Sequence, residues 1–254
     1  YFGPDSVEAR DTLLRFDRAL AQLLAALDEH VGAGRYAFVL TADHGVGVPP
    51  EIAKQRGLGG GRALLHTRAR QAAEQALRQH FGVETKEGEP APGPFVQDAR
   101  EFTLVLDRSK IAAQRPGEDP AKVFEAACAA VAAAVGKVQG LASGHVVAEL
   151  LRDGPGNDPI RRALWYGACA ERSGDVGFVV QPYWLEAGLP ASHGTPYDYD
   201  RQVPLLAFGP GLKHGEHAMA SVSPGLAAVL AAHWLGIDPP AASVDTVPEG
   251  VFVR

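Results

Sequence analysis

A chain of 254 residues, 46% of them hydrophobic, can bury one large core or a core plus an insert. Its longest apolar runs, Ala126 to Val135 and Leu226 to Leu235, stop far short of the roughly 20 residues that cross a bilayer, so the sequence predicts no membrane span. A net charge of -6 argues against a broad nucleic-acid surface and leaves local attraction, such as bound cations, to hold any anionic substrate.

The chain opens on Tyr1-Phe2-Gly3-Pro4 with neither an initiator Met nor a signal peptide, and its one Met is Met219, so it reads as beginning inside a longer protein. Asp5 with Glu8 three residues on forms a capping box. Val7, Leu14, Leu20, Leu24 and Leu27 then recur at roughly helical spacing, which predicts a helix from about Ser6 to His30. Gly32-Ala33-Gly34 ends it. Tyr36 to Leu40 reads as a fully buried strand, closed by Thr41-Ala42-Asp43-His44-Gly45. Pro49-Pro50 and Gly57 to Gly61 mark a loop, followed by a helix rich in Ala and Arg from about Ala63 to His80. Val83 to Pro94 turns to Glu, Gly and Pro, the composition of a linker or long surface loop.

Phe102 to Leu106 alternates as a strand, and Asp119-Pro120 starts an Ala-rich helix to Val135 as cap and first residue. His145 to Leu151 and Pro159 to Cys169 read as two more helices, and residues 84–170 are expected to form a small inserted α+β subdomain. Val176 to Gln181 and Val203 to Phe208 return to strand. Ser223-Pro224 caps a last helix to about Leu235, and Val251-Phe252-Val253 reads as an edge strand. Helices alternating with buried strands predict an α/β architecture, a largely parallel sheet flanked by helices. Cys128 and Cys169 allow at most one disulfide, and no Cys-x-x-Cys suggests zinc or redox work.

Asp43 and His44 follow directly on a strand, where an open α/β sheet presents its functional loops. A hard oxygen beside a borderline nitrogen suits zinc or a similar divalent ion, although Asp and Gly are also ordinary turn residues after a strand. A second stretch, Ala191 to Asp200, carries Ser192-His193-Gly194 just before the Val203 to Phe208 strand. Its Asp198 and Asp200 either orient His193 as carboxylate acceptors or solvate the loop, solvation being the plainer reading. Thr41 and Thr195 read as capping or turn residues. The other histidines, His30, His66, His80, His145, His214, His217 and His233, lack ligand spacing, and Lys213-His214-Gly215-Glu216-His217 is not a His-Glu-x-x-His site. Gly57 to Arg62 lacks the third glycine of a dinucleotide fingerprint, and there is no P-loop or Gly-x-Ser-x-Gly elbow.

Thr41-Ala42-Asp43-His44-Gly45 after one strand and Ser192-His193-Gly194 before another resemble the alkaline phosphatase superfamily. The likeness is strongest to its type I phosphodiesterase and nucleotide pyrophosphatase branch, which includes zinc-dependent alkaline phosphatases of bacterial periplasms. Tyr1-Phe2-Gly3-Pro4 looks like the tail of that family's Asp-x-x-Gly-His-x-Phe-Gly-Pro motif, and Ser223-Pro224 with Leu235-Gly236-Ile237 looks like its closing helix. The resemblance implies an alkaline phosphatase-like core over residues 1–83 and 171–254. It also implies two divalent metal ions, zinc, with Asp43 and His44 as paired ligands of one and His193 as a ligand of the other. Two ions roughly 4 Å apart clamp the attacking and leaving oxygens of a phosphoryl group.

The activity so implied is hydrolysis of a small-molecule phosphate ester, in the manner of an alkaline phosphatase acting through a phospho-Thr or phospho-Ser. The nucleophile, with a His and an Asp ligand, would lie ahead of Tyr1, so this stretch alone would not turn over substrate. A periplasmic or secreted location follows from the same likeness. The alternatives are a phosphodiesterase or nucleotide pyrophosphatase of the same branch, or a metal-binding module without catalysis.

Overall fold

The computed structural model describes residues 2–84, 93–215 and 221–253. In chain order its helices and strands are α1 (Val7–Leu27), β1 (Phe38–Thr41), α2 (Pro50–Gln55), β2 (Gly61–Ala63), α3 (Leu65–Phe81), β3 (Val96–Arg100), β4 (Thr103–Leu106), α4 (Arg108–Ala113), α5 (Pro120–Val135), β5 (Leu141–Val146), α6 (Val147–Asp153), α7 (Pro159–Gly167), β6 (Val176–Val180), β7 (Trp184–Glu186), α8 (Asp198–Arg201), β8 (Leu205–Phe208) and α9 (Leu226–Leu235). They fall into two compact units, Gly47–Asp198 on the one hand and Phe2–Val46 with the chain from Tyr199 onward on the other.

The first unit is a helix pair on a sheet. Leu65, Ala69, Ala73, Leu77 and Phe81 recur every fourth residue on α3 and are all buried, giving one continuous apolar face. Val123, Ala127, Val131 and Val135 on α5 join the same core, together with Phe124, Cys128 and Ala132. Beneath them the sheet runs β3-β4-β6-β5, antiparallel at every pairing. Composition suggests seams at 84 and 170, whereas packing groups α3 with α5 because each fills the other's apolar face. Both cysteines are free thiols; burial pushes the Cys128 thiol up to about 12.

Two local expectations differ in this unit. His145 belongs to β5 rather than to a helix, because Leu141 to Val146 ladders onto Val176 to Val180 and that pairing outweighs helical spacing. Gly144 makes the strand possible, since a Cβ there would stand 2.3 Å from the Ala132 carbonyl oxygen of α5. Phe102 is not in a strand. With Glu101 it forms the two-residue turn joining β3 to β4, and both take positive φ, 48° and 61°, as such a tight hairpin requires.

In the second unit the cap of α1 is Ser6 rather than Asp5, its Oγ accepting the Ala9 amide at 3.0 Å. The helix buries none of its residues and runs into a π-helical turn, Asp28–Gly32, where the Tyr36 hydroxyl donates to Asp28 Oδ1 at 2.9 Å. β1 pairs with β8, antiparallel, from Phe38↔Phe208 to Thr41↔Leu205. Leu226, Val229 and Leu230 of α9 pack with Val39, Leu205 and Ala207, while Leu206 on the strand's other side is 58% exposed. β1 is therefore half-buried where the apolar run predicts full burial, because the described residues cover only one of its faces. The expected last strand is a single bridge, Leu212↔Phe252.

The architecture is α/β, and β2–β7 is the parallel pairing among the described strands. Alternation in sequence predicts parallel neighbours only where each helix is the crossover between adjacent strands. Here the chain from β1 to β8 passes through the whole first unit. Most of the expected 83–94 linker, with Tyr1, His217 and Met219, lies outside the described residues. Among the described residues no helix is long and apolar enough to cross a membrane.

Gly144→Ala forces strand β5 off α5 and is expected to cost about 1–3 kcal/mol, the usual penalty for overpacking, read as a lower urea midpoint with an unchanged slope.

Candidate metal centre

Asp43 and His44 leave the carboxyl end of β1. Because β8 runs antiparallel to β1 and Thr41 faces Leu205, the chain that leads into β8 lies beside this turn. The Gly45 amide donates to Asp200 O at 2.8 Å, and a Cβ on Gly45 would stand 2.3 Å from Tyr199 O. Gly45 is thus required by close backbone approach. Within the turn, Asp43 Oδ1 accepts the His44 amide at 3.0 Å. His44 Nδ1 lies 2.7 Å from Gly45 O; a carbonyl only accepts, so Nδ1 carries the proton and the neutral ring's lone pair is on Nε2. That Nε2 lies 3.7 Å from Asp43 Oδ2.

This pair fits a divalent ion. Two ligands of a tetrahedral zinc, each about 2.0–2.1 Å from the metal, stand about 3.4 Å from one another, close to the separation here. Fixing the tautomer by a hydrogen bond from the ring's other nitrogen is how a ligating imidazole is usually oriented. Asp43 is 88% exposed at its side chain, so its second oxygen reaches outward. Asp200 departs from the solvated role expected of it: it is 3% exposed, whereas Asp198 is exposed. The Thr41 hydroxyl is buried and makes no hydrogen bond among the described residues, against the turn role expected of it.

His193 belongs to the first unit and is exposed on the loop after β7. That loop is held at several points. Arg62 of β2 donates to Leu189 O from Nη1 and to Pro190 O from Nη2, the latter at 3.4 Å, and engages Glu51 of α2 through Nε at 2.8 Å and Nη2 at 3.1 Å. The hydrogen bonds from Arg62 hold the Glu51 carboxyl down at about 2. Past His193, the Tyr197 hydroxyl donates to Val180 O at 2.8 Å. Gly194, with φ +99°, faces the Phe102 ring, which also stacks on His66 at 5.6 Å between centroids.

His66, one of the histidines without ligand spacing in the sequence, is held by a carboxylate. Its Nδ1 lies 2.9 Å from Glu186 Oε2, the same oxygen that accepts the Leu65 and His66 amides at 2.9 and 3.2 Å. Glu186, at the end of β7, thereby caps α3 from outside, a role reserved for anions at helix N-termini. Neither it nor Arg62 carries a motif; both become visible only once β2 and β7 are paired. Among the described residues no group of three or more His, Cys, Asp or Glu side chains converges as a metal cage. Asp43 and His44 are brought together as one edge, and His193 stands in its own unit.

Residues 1–185 match the family model described as type I phosphodiesterase / nucleotide pyrophosphatase. Over 240 residues the chain is 29% identical to a protein of Myroides odoratus named calcium-transporting ATPase, covering 90% of this chain and 40% of that one. Over 237 residues it is 26% identical to alkaline phosphatase PhoV of Synechococcus elongatus, covering 90% and 39%. A crystal structure of a variant of alkaline phosphatase PafA superposes with a TM-score of 0.79 at 25% identity, covering 99% of this chain and 44% of that one. The chain thus spans about two-fifths of the length of the curated relatives it matches.

Two outcomes follow from the geometry. Gly45→Ala breaks the Gly45 amide bond to Asp200 O, so exchange of that amide should quicken at least about tenfold, equivalent to roughly 1.4 kcal/mol. Glu51 titrates below its unfolded value, so its contribution is complete above its ordinary 4.5 and is lost as pH falls through about 2. An NMR carboxyl titration should place Glu51 near 2 in the parent and back toward 4.5 in Arg62→Ala.

Proposed function

The chain belongs to the type I phosphodiesterase / nucleotide pyrophosphatase family of the alkaline phosphatase superfamily, and we propose that it carries part of the two-metal site of a phosphate ester hydrolase. Asp43 and His44 hold one divalent ion, zinc, and His193 is a ligand of a second. The observation that carries this reading is the donor edge at the end of β1, Asp43 Oδ2 beside His44 Nε2, with the ring's tautomer fixed on Gly45 O. Bound there, divalent ions supply the positive charge that neutralises the oxygens of a transferring phosphoryl group.

The remaining work falls to the chain's own residues. Asp43 contributes a negative charge as well as an oxygen, which draws a divalent cation; that cation would in turn offset the repulsion of a phosphate by a chain of net charge -6. The Nδ1–H of His44 donates to Gly45 O, which leaves the lone pair on Nε2 for a metal. Gly45 lets the turn lie against Tyr199 and so sets where both side chains project. The substrate is a small-molecule phosphate monoester, the nucleophile a Thr or Ser outside this stretch, and the location periplasmic or secreted. The matching family model also names phosphodiesterases, which keeps diester hydrolysis as the second reading.

The test is an assay of the full-length protein on p-nitrophenyl phosphate and bis-p-nitrophenyl phosphate, with zinc content measured alongside. His193→Ala should lower turnover by more than about 100-fold, beyond the 10–100-fold typical of outer partners of a metal ligand. Unchanged turnover and zinc content in that variant would sink the reading, and a faster diester rate in the parent would transfer it to the phosphodiesterases.

A further inference from the structure

Resting on the reading that His193 holds a metal, we propose that Arg62 and Tyr197 are positioning residues that set the His193 loop from its two sides. Arg62 stands at the centre of β2, and its planar guanidinium is shared between two tasks. Its Nε and Nη2 engage the two carboxylate oxygens of Glu51, and its Nη1 and Nη2 donate to the Leu189 and Pro190 carbonyls. Glu51 fixes the plane of the fork, so the edge that meets the loop has one direction; a lysine ammonium has no such plane. Low pH loosens the arrangement only near the Glu51 value of about 2, so the fork is intact throughout the neutral and alkaline range.

Pro190 is three residues from His193, a reach of at most about 10 Å even when extended. On the other side the Tyr197 hydroxyl is bonded to Val180 O, at the end of β6. β6 lies between β4 and β5, and Val180 is 2% exposed, so this anchor is part of the core rather than another loop. Between the two anchors Gly194 takes a φ of +99° against the edge of Phe102, where a Cβ would stand 3.3 Å from Cε2. Loops carry function best when a rigid scaffold places them, and here the anchors on both sides of a six-residue stretch, 191–196, arise from β2 and β6.

The experiment compares Arg62→Ala, Arg62→Lys and Tyr197→Phe with the parent in the full-length protein. Two quantities are read: amide hydrogen exchange over residues 187–197 without metal, and zinc affinity by chelator competition. Arg62→Ala and Tyr197→Phe should each quicken exchange in the loop at least about tenfold and weaken zinc about tenfold, with Arg62→Lys resembling Arg62→Ala rather than the parent. A substitution that only destabilised the fold would quicken exchange throughout the core and leave the affinity of the folded protein unchanged. Tyr197→Phe removes a single oxygen and guards against misfolding of the Arg62 variants. Unchanged loop exchange overturns the pinning whether or not zinc binds. Faster exchange with parental zinc affinity overturns the positioning of the ligand and leaves the hydrolase reading standing. A parent that binds no zinc, or binds it equally after His193→Ala, overturns the metal reading and the positioning proposal together.

Discussion

A ladder of three residue pairs, β2 against β7, is the constraint on which the placing of the His193 loop depends. Because the pairing is parallel, the segments that follow the two strands emerge at the same end, α3 after β2 and the His193 loop after β7. Each strand then sends a charged side chain to the segment that follows the other. Glu186 of β7 accepts the first amides of α3, and Arg62 of β2 donates to the carbonyls after β7. The exchange is complementary in sign as well as position: a helix start presents donors and takes a carboxylate, and a loop presents acceptors and takes a guanidinium. So short a ladder gains little from its own hydrogen bonds. The reciprocal charged contacts are what keep its ends in register.

In the second unit close main-chain contact positions the turn after β1. Antiparallel pairing of β1 with β8 lays the chain ahead of β8 along the turn that leaves β1, and Gly45 lets the two backbones touch. The turn carrying Asp43 and His44 is therefore defined by main chain on main chain, with Nδ1 of His44 bound to the carbonyl of the next residue. Main-chain contacts of this kind require no ordering of long side chains, whereas Arg62 gives up much of its rotamer freedom to serve the other loop.

Much of the skeleton was legible in residues alone. The Asp-Pro starts of α5 and α7 and the apolar runs of β6 and β8 all stand where local chemistry places them, because caps and short apolar strands are written within a few residues. β2 and β7 were not legible, since three residues show no period, and neither was β5, whose Gly144 reads as a breaker until Ala132 is seen against it. Asp43 and His44 stood out by local donor chemistry, and His193 was picked out by the resemblance to the alkaline phosphatase superfamily. Their supports did not stand out: the Glu186 contact with Leu65 spans 121 residues and the Arg62 contact with Leu189 spans 127, distances over which neither spacing nor composition speaks. Asp200 was misread for a related reason, as Tyr197-Asp198-Tyr199-Asp200 is polar in sequence and only tertiary packing buries its last carboxylate.

The contrast between the two ways of holding a loop bears on how such a site can be tuned. A turn fixed by backbone contact, as at Gly45, has few tolerated variants, because any Cβ meets Tyr199 O. A loop fixed by Arg62 and Tyr197 can be altered in small steps, by losing one hydroxyl or exchanging one cation, without touching the residue it presents. In a metal site the outer partners shift affinity by factors of about 10–100 while the ligands decide whether binding occurs at all. On the proposed reading of His193 as a ligand, Arg62 and Tyr197 are therefore the residues through which its hold on a metal is adjustable, and His193 itself decides whether that hold exists.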